Sequence, residues 1–96
     1  VDGKKLMSSI EVIVRGRVQG VGFRYFLLRL ANDYQIDGEV WNRRDGGVEL
    51  IACHESSAVL ELFTSEIENG PGRVDSVVPS PYSFPVAAGF RITDTR

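Results

Sequence analysis

The spacing of apolar residues changes several times along this chain, and each change marks an element. Ile10, Val12 and Val14 alternate with Glu11, Ile13 and Arg15, the period of a strand. From Phe23 onward the period lengthens. Phe23, Phe26, Leu27, Leu30, Ala31 and Tyr34 fall at i, i+3, i+4, i+7, i+8 and i+11, which is one face of a helix. Residues 39–43 and 48–53 read as two further strands. Between them Arg44-Asp45-Gly46-Gly47 is a hairpin signal. Residues 56–69 predict a second helix with Val59, Leu62, Phe63 and Ile67 as its apolar face, ended by Gly70 and Pro71. Residues 74–78 read as a fourth strand. Beyond it, Pro79, Pro81 and Pro85 break the chain into a loop. A short last strand is available at residues 89–93.

The order is therefore βαββαβ with a fifth short strand. It predicts an α+β fold of the ferredoxin-like kind: a mainly antiparallel sheet with two helices on one face. Ninety-six residues make one domain. We place it at residues 10–96. Residues 1–9 are polar and patternless and are expected to be disordered, with Met7 a candidate native start behind a leader.

Composition removes several classes. No apolar run reaches membrane-spanning length and no charged-then-apolar leader opens the chain, so the cytoplasm is the simplest compartment and no membrane partner is expected. The one cysteine, Cys53, cannot close an internal disulfide. One cysteine and one histidine, His54, are too few for a zinc site of the usual kind. No metal and no cofactor are expected, and the chain is read as a monomer.

Charge then singles out one stretch. The chain carries 11 Lys+Arg against 13 Asp+Glu, a net charge of −2. Yet residues 12–31 contain Arg15, Arg17, Arg24 and Arg29 and no acid. Such a local positive field suits a small anion; a nucleic acid calls for a broad basic face. Arg15, Arg17 and Arg29 are read as solvated surface residues. Arg24 is different, because it follows Gly16, Gly20 and Gly22 and opens a helix. Glycines let backbone N–H groups converge on one point, and a helix N-terminus favours an anion there. A cation in the first helical turn opposes the dipole, and a bound phosphate-like group resolves that conflict. Two familiar phosphate motifs do not fit. The loop lacks the Gly-Lys-Ser/Thr ending of a Walker A sequence, and Tyr25 stands where a dinucleotide fingerprint needs its third glycine.

Gly16-Arg17-Val18-Gln19-Gly20-Val21-Gly22-Phe23-Arg24 resembles the signature of the acylphosphatase family. Gly38-Glu39-Val40-Trp41-Asn42 with Asp45-Gly46-Gly47-Val48-Glu49 is similar to that family's second signature. Gly70-Pro71, Gly72-Arg73-Val74-Asp75-Ser76-Val77 and Phe90-Arg91-Ile92 are similar to its C-terminal half. The resemblance runs from Ile10 to Thr93. Two departures stand out: Glu39 occupies a position where the family usually has a bulky residue, and the tail after Ile92 is long.

The resemblance implies an enzyme that hydrolyses the carboxyl–phosphate bond of acyl phosphates to a carboxylate and inorganic phosphate. It implies Arg24 and Asn42 as catalytic residues. It implies a phosphate-binding backbone along Val18, Gln19, Gly20, Val21, Gly22 and Phe23, completed by Arg24. The chemistry is consistent with those roles. A carboxylate leaves without a strong general acid, so phosphoryl transfer reduces to positioning and charge stabilisation. The Asn42 amide both donates and accepts, and so can orient a water without being basic. Inorganic phosphate and sulfate are expected to compete for the loop.

Other readings of single residues are blander. Sequence alone makes Asn42 a polar strand end, a preference the resemblance reverses. His54 is read as a half-exposed strand end rather than a base, Cys53 as a small packed residue, and Trp41 as cover for a sheet face. An RNA-binding module shares the βαββαβ order, but it presents aromatics on a basic sheet face. Here the strands carry Glu39 and Glu49. A regulatory domain of a larger assembly is the other rival, and a longer native chain would favour it.

Overall fold

The computed structural model describes residues 8–96. The disorder expected at the N-terminus and the candidate start at Met7 therefore fall outside the described residues, except at Ser8 and Ser9. Those two residues are already paired: β1 runs Ser8–Arg17, two residues earlier than its alternation suggested. The remaining elements are α1 Phe23–Asp33, β2 Asp37–Asn42, β3 Val48–His54, α2 Ser57–Glu66 with a 3-10 turn Ile67–Asn69, β4 Arg73–Pro81 and β5 Phe90–Ile92.

The five strands lie in the order β4-β1-β3-β2-β5. Every neighbouring pair is antiparallel except β2 with β5, which run parallel. The predicted ferredoxin-like α+β fold is the one observed, with the fifth strand added at the β2 edge. Strand alternation sends Val12, Val14, Val40, Val48, Leu50 and Ala52 to one face. There they meet Phe23, Leu27 and Ala31 of α1 and Leu60, Phe63 and Ile67 from α2 and its 3-10 turn. The α1 stripe is as read from the sequence: Phe26, Leu30 and Tyr34 pack beside that core. The Tyr34 hydroxyl also donates to the Glu66 carboxylate, joining the last turns of the two helices.

Three local expectations change. The buried face of α2 is Leu60, Phe63 and Ile67, while Leu62 is 55% exposed. Of the predicted stripe Phe63 and Ile67 are buried and Val59 packs beside the core, so only Leu62 is misplaced, its position in the core taken by Leu60. β4 continues through Pro79 to Pro81, paired with Val12 and Ile10. It is an edge strand, where a proline's missing N–H can face solvent. The helix expected over residues 56–69 is α2 followed by the 3-10 turn, which Gly70 closes with φ −70°. Residue 70 is glycine because a Cβ there would stand 2.5 Å from Cε2 of Phe23.

Gly16 sets up the loop at the end of β1. The β1–β4 register shifts between Arg15 and Gly16, a bulge at the strand's end. Gly16 has φ +136°, and a Cβ there would meet the Arg73 carbonyl oxygen at 2.1 Å. Gly16→Ala is expected to destabilise the fold by roughly 3 kcal/mol, the scale of forbidden φ plus overpacking, read as a lower urea midpoint at unchanged m-value.

Candidate active site

Residues 18–22 lead from the bulge into α1, and their side chains are mostly spent on structure. Val18 and Phe23 are buried in the core, and Val21 packs against it. Gln19 reaches across the chain instead. Its Nε2 donates to the carbonyls of Arg43 at 2.7 Å and Gly47 at 2.8 Å. Both acceptors lie in the β2–β3 turn, directly after Asn42. The glycine loop and the end of β2 are thereby held side by side. This bridge escaped the sequence reading. The only signal for it is a long amide side chain within a glycine loop.

Of the positions expected to face an anion, Val18, Gln19, Val21 and Phe23 have only backbone groups to offer. Gly20 and Val21 have no hydrogen-bond partner among the described residues. Gly20 and Gly22 have φ of +74° and +85°, and nothing lies within 4 Å of a Cβ built on either. Gly22 is the N-cap of α1 and supplies no side-chain cap. The first turn of that helix holds no acid. Arg24, half-buried, has no carboxylate partner among the described residues. An uncapped helix start with an unpaired arginine in its first turn is an arrangement that an anion stabilises.

The turn on the other side is rigid. Arg43 donates to Asp45 from Nε and Nη2 at 2.9 to 3.1 Å and to Glu49 at 2.6 Å. Asp45 also accepts from the Gly47 N–H at 3.0 Å and from Arg15 at 3.2 Å. Arg43, helped by the Gly47 N–H, holds the Asp45 carboxyl well below the usual carboxylate range. The turn thus keeps its shape through neutral and mildly acidic pH. Arg15, read from sequence as a solvated residue, belongs to this network. Asn42 closes β2 on the same face as Val40, with Trp41 on the other. Its Oδ1 is buried and has no hydrogen-bond partner among the described residues.

His54 and Cys53 lie elsewhere. Asn42 pairs with Val48 at one end of β3, and His54 is the residue at the other end. Six strand steps separate them, about 20 Å. His54 Nδ1 accepts from the Ser56 N–H at 2.9 Å, a turn-capping bond. Cys53 is buried. Trp41 is 5% exposed and lies outside the helix-facing core, under the Arg96 guanidinium.

The acylphosphatase family profile matches residues 10–92. The chain belongs to the acylphosphatase family. An acylphosphatase of Lactococcus lactis is 42% identical over 95 residues, which cover 90% of this chain and 98% of that one. The crystal structure of acylphosphatase from Bacillus subtilis superposes with a TM-score of 0.84 at 34% identity, covering 92% of this chain and 99% of that one. The structure of an acylphosphatase from Coxiella burnetii gives 0.86 at 30% identity, covering 95% and 99%. This chain is thus an enzyme of the acylphosphatase class. No helix among the described residues is long and apolar enough to cross a membrane.

The Gln19 bridge has a measurable weight. Gln19→Ala removes two side-chain hydrogen bonds from carbonyls that keep the backbone N–H of Gly46 on Arg43 and of Arg43 on Gly47, and the expected loss is about 2 kcal/mol of unfolding free energy, two ordinary hydrogen bonds. Chemical denaturation measures it, and amide hydrogen exchange should quicken in the loop and the β2–β3 turn together.

Proposed function

We propose that this acylphosphatase-family enzyme hydrolyses acyl phosphates with the phosphoryl group seated at the glycine loop. The backbone N–H groups of Val18, Gln19, Gly20, Val21, Gly22 and Phe23 surround its oxygens, and the Arg24 guanidinium pairs with them. The observation that carries the reading is the orphaned Oδ1 of Asn42, next in sequence to the carbonyl that Gln19 holds. A buried amide oxygen without a partner costs free energy, and a water hydrogen-bonded there recovers it. That water is the nucleophile.

Its oxygen forms the new bond to phosphorus as the bond from phosphorus to the acyl oxygen breaks. The electron pair of the broken bond leaves with the carboxylate. Both water protons end on phosphate oxygens, so a dianionic acyl phosphate gives a carboxylate and dihydrogen phosphate. No side-chain base is needed, since the substrate's own oxygens accept the protons. The loop and Arg24 hold charge on the equatorial oxygens, the main contribution a protein makes to such a transfer. In this reading the enzyme works in the cytoplasm as a monomer on a small molecule. Inorganic phosphate and sulfate compete for its loop. The acidic Glu11, Glu39 and Glu49 on the sheet's far face argue against nucleic acid as a partner.

Phosphate release from a simple acyl phosphate, set against a phosphate monoester, tests the reading. The acyl phosphate should turn over and the monoester should not. Arg24→Ala is expected to lower kcat/KM by about 1,000-fold or more and to abolish competition by phosphate, because it removes a charged contact to the transferring group. A folded Arg24→Ala variant with near-normal turnover refutes the role.

Asn42→Ala should behave differently. Its kcat is expected to fall about 100-fold while the inhibition constant of phosphate stays within about threefold, since its partner is the water. Lost phosphate affinity with surviving kcat would make Asn42 a binding residue instead.

Chelators and His54→Ala are each expected to leave most activity in place. Among the described residues no three His, Cys, Asp or Glu side chains could jointly hold a metal ion, and His54 is bonded at the far end of β3. Activity lost to a chelator and restored by a metal would overturn the substrate-assisted route.

A further inference from the structure

The fold brings Glu39 of β2 into contact with the chain beyond Ile92. The tail extends the parallel pairing of β5 with β2. Thr93 N–H donates to the Val40 carbonyl at 2.9 Å, and Arg96 N–H donates to the Asn42 carbonyl at 3.0 Å. Arg44 N–H in turn donates to the Arg96 carbonyl at 3.1 Å. The backbone of Asn42 is therefore gripped between β3, where it pairs with Val48, and residue 96.

The Arg96 side chain fixes that grip from behind. Its guanidinium stands over the Trp41 ring, 4.0 Å from the centroid, where a cation is attracted to the π face. The same group forms an ion pair with Glu39 and donates to Thr93 Oγ1 at 3.3 Å. Arg91 stands 3.8 Å from the other Glu39 oxygen. Glu39 and Trp41 sit on the sheet face opposite the Asn42 side chain. A planar, charged side chain thus ties together alternate residues of β2 and the tail that holds Asn42. The Arg96 guanidinium lies with Glu39 and Trp41, on the sheet face opposite the Asn42 side chain.

We propose that Arg96, clamped by Glu39 and Trp41, is a positioning residue for Asn42. The proposal rests on the water-orienting role given to Asn42 above. An amide that aims a water must be held closely, because a displacement of about 1 Å can cost about 100-fold in rate. Nothing in the proposal gives Arg96 a contact with substrate. It acts by fixing the strand end that carries Asn42.

The test measures kcat, KM and the phosphate inhibition constant for Arg96→Ala, Arg96→Lys, Asn42→Ala and the Arg96→Ala/Asn42→Ala pair, with a melting curve for each. Arg96→Ala should lower kcat about tenfold and leave the phosphate constant within about twofold. Arg96→Lys, which keeps the charge toward Glu39 but loses the planar stack on Trp41, should give a kcat between those of Arg96→Ala and wild type. On the Asn42→Ala background, Arg96→Ala should change kcat by less than about twofold, since the group it positions is gone. Wild-type kcat in Arg96→Ala, a raised KM with kcat unchanged, or a full tenfold loss on the Asn42→Ala background each overturns the proposal and leaves the role of Asn42 standing. Wild-type kcat in Asn42→Ala removes that role, and the clamp with it.

Discussion

Two hydrogen bonds from one side chain decide where this site is. The Gln19 amide donates to the carbonyls of Arg43 and Gly47 at 2.7 and 2.8 Å. The loop it comes from joins β1 to α1, and the turn it enters joins β2 to β3. β1 and β2 are not neighbours in the sheet, since β3 lies between them. Gln19 spans that gap and sets the glycines of one connection beside Asn42 of the other. The sheet order makes this reach possible, and the Gly16 bulge turns the chain toward it.

What Gln19 brings together is locally unsatisfied. A helix starts without a side-chain cap or an acid in its first turn, and with an arginine that has no carboxylate partner among the described residues. A buried amide oxygen at the end of β2 has no hydrogen-bond partner among the described residues. Each is a departure from the rules that stabilise a fold, and departures of this kind gather where a protein works. In the function proposed above an anion answers the first and a water the second. The rest of the turn is over-determined: Arg43 is bonded to Asp45 and Glu49, and Asp45 to Gly47 and Arg15.

The α1 stripe, the hairpin and the glycine loop were legible in the sequence because each depends on residues close together in the chain. Arg24 could be singled out for the same reason: the conflict between its charge and the helix start is local. Long-range facts were not legible. Nothing in the spacing of Gln19 tells which carbonyls it will meet. Glu39 and the tail stood out only as departures, and their meaning is a contact across 57 residues of sequence. The reading of β4 failed at Pro79 because edge position, which admits proline, is a property of the sheet. On α2 the face through Val59, Phe63 and Ile67 was legible, but Leu62 was taken for Leu60, two leucines whose burial is settled by packing alone.

The central claim is that an anion binds at the loop, against Arg24 and beside Asn42. Titration of inorganic phosphate into the ¹⁵N-labelled protein, followed amide by amide, tests it most directly. The account predicts saturable shifts centred on Gly20, Val21, Gly22 and Arg24, with little change at His54 and Ser56 at the far end of the sheet. It predicts that those shifts are lost when the titration is repeated on Arg24→Ala. Saturable shifts centred away from the loop, or an unchanged titration without Arg24, would contradict it.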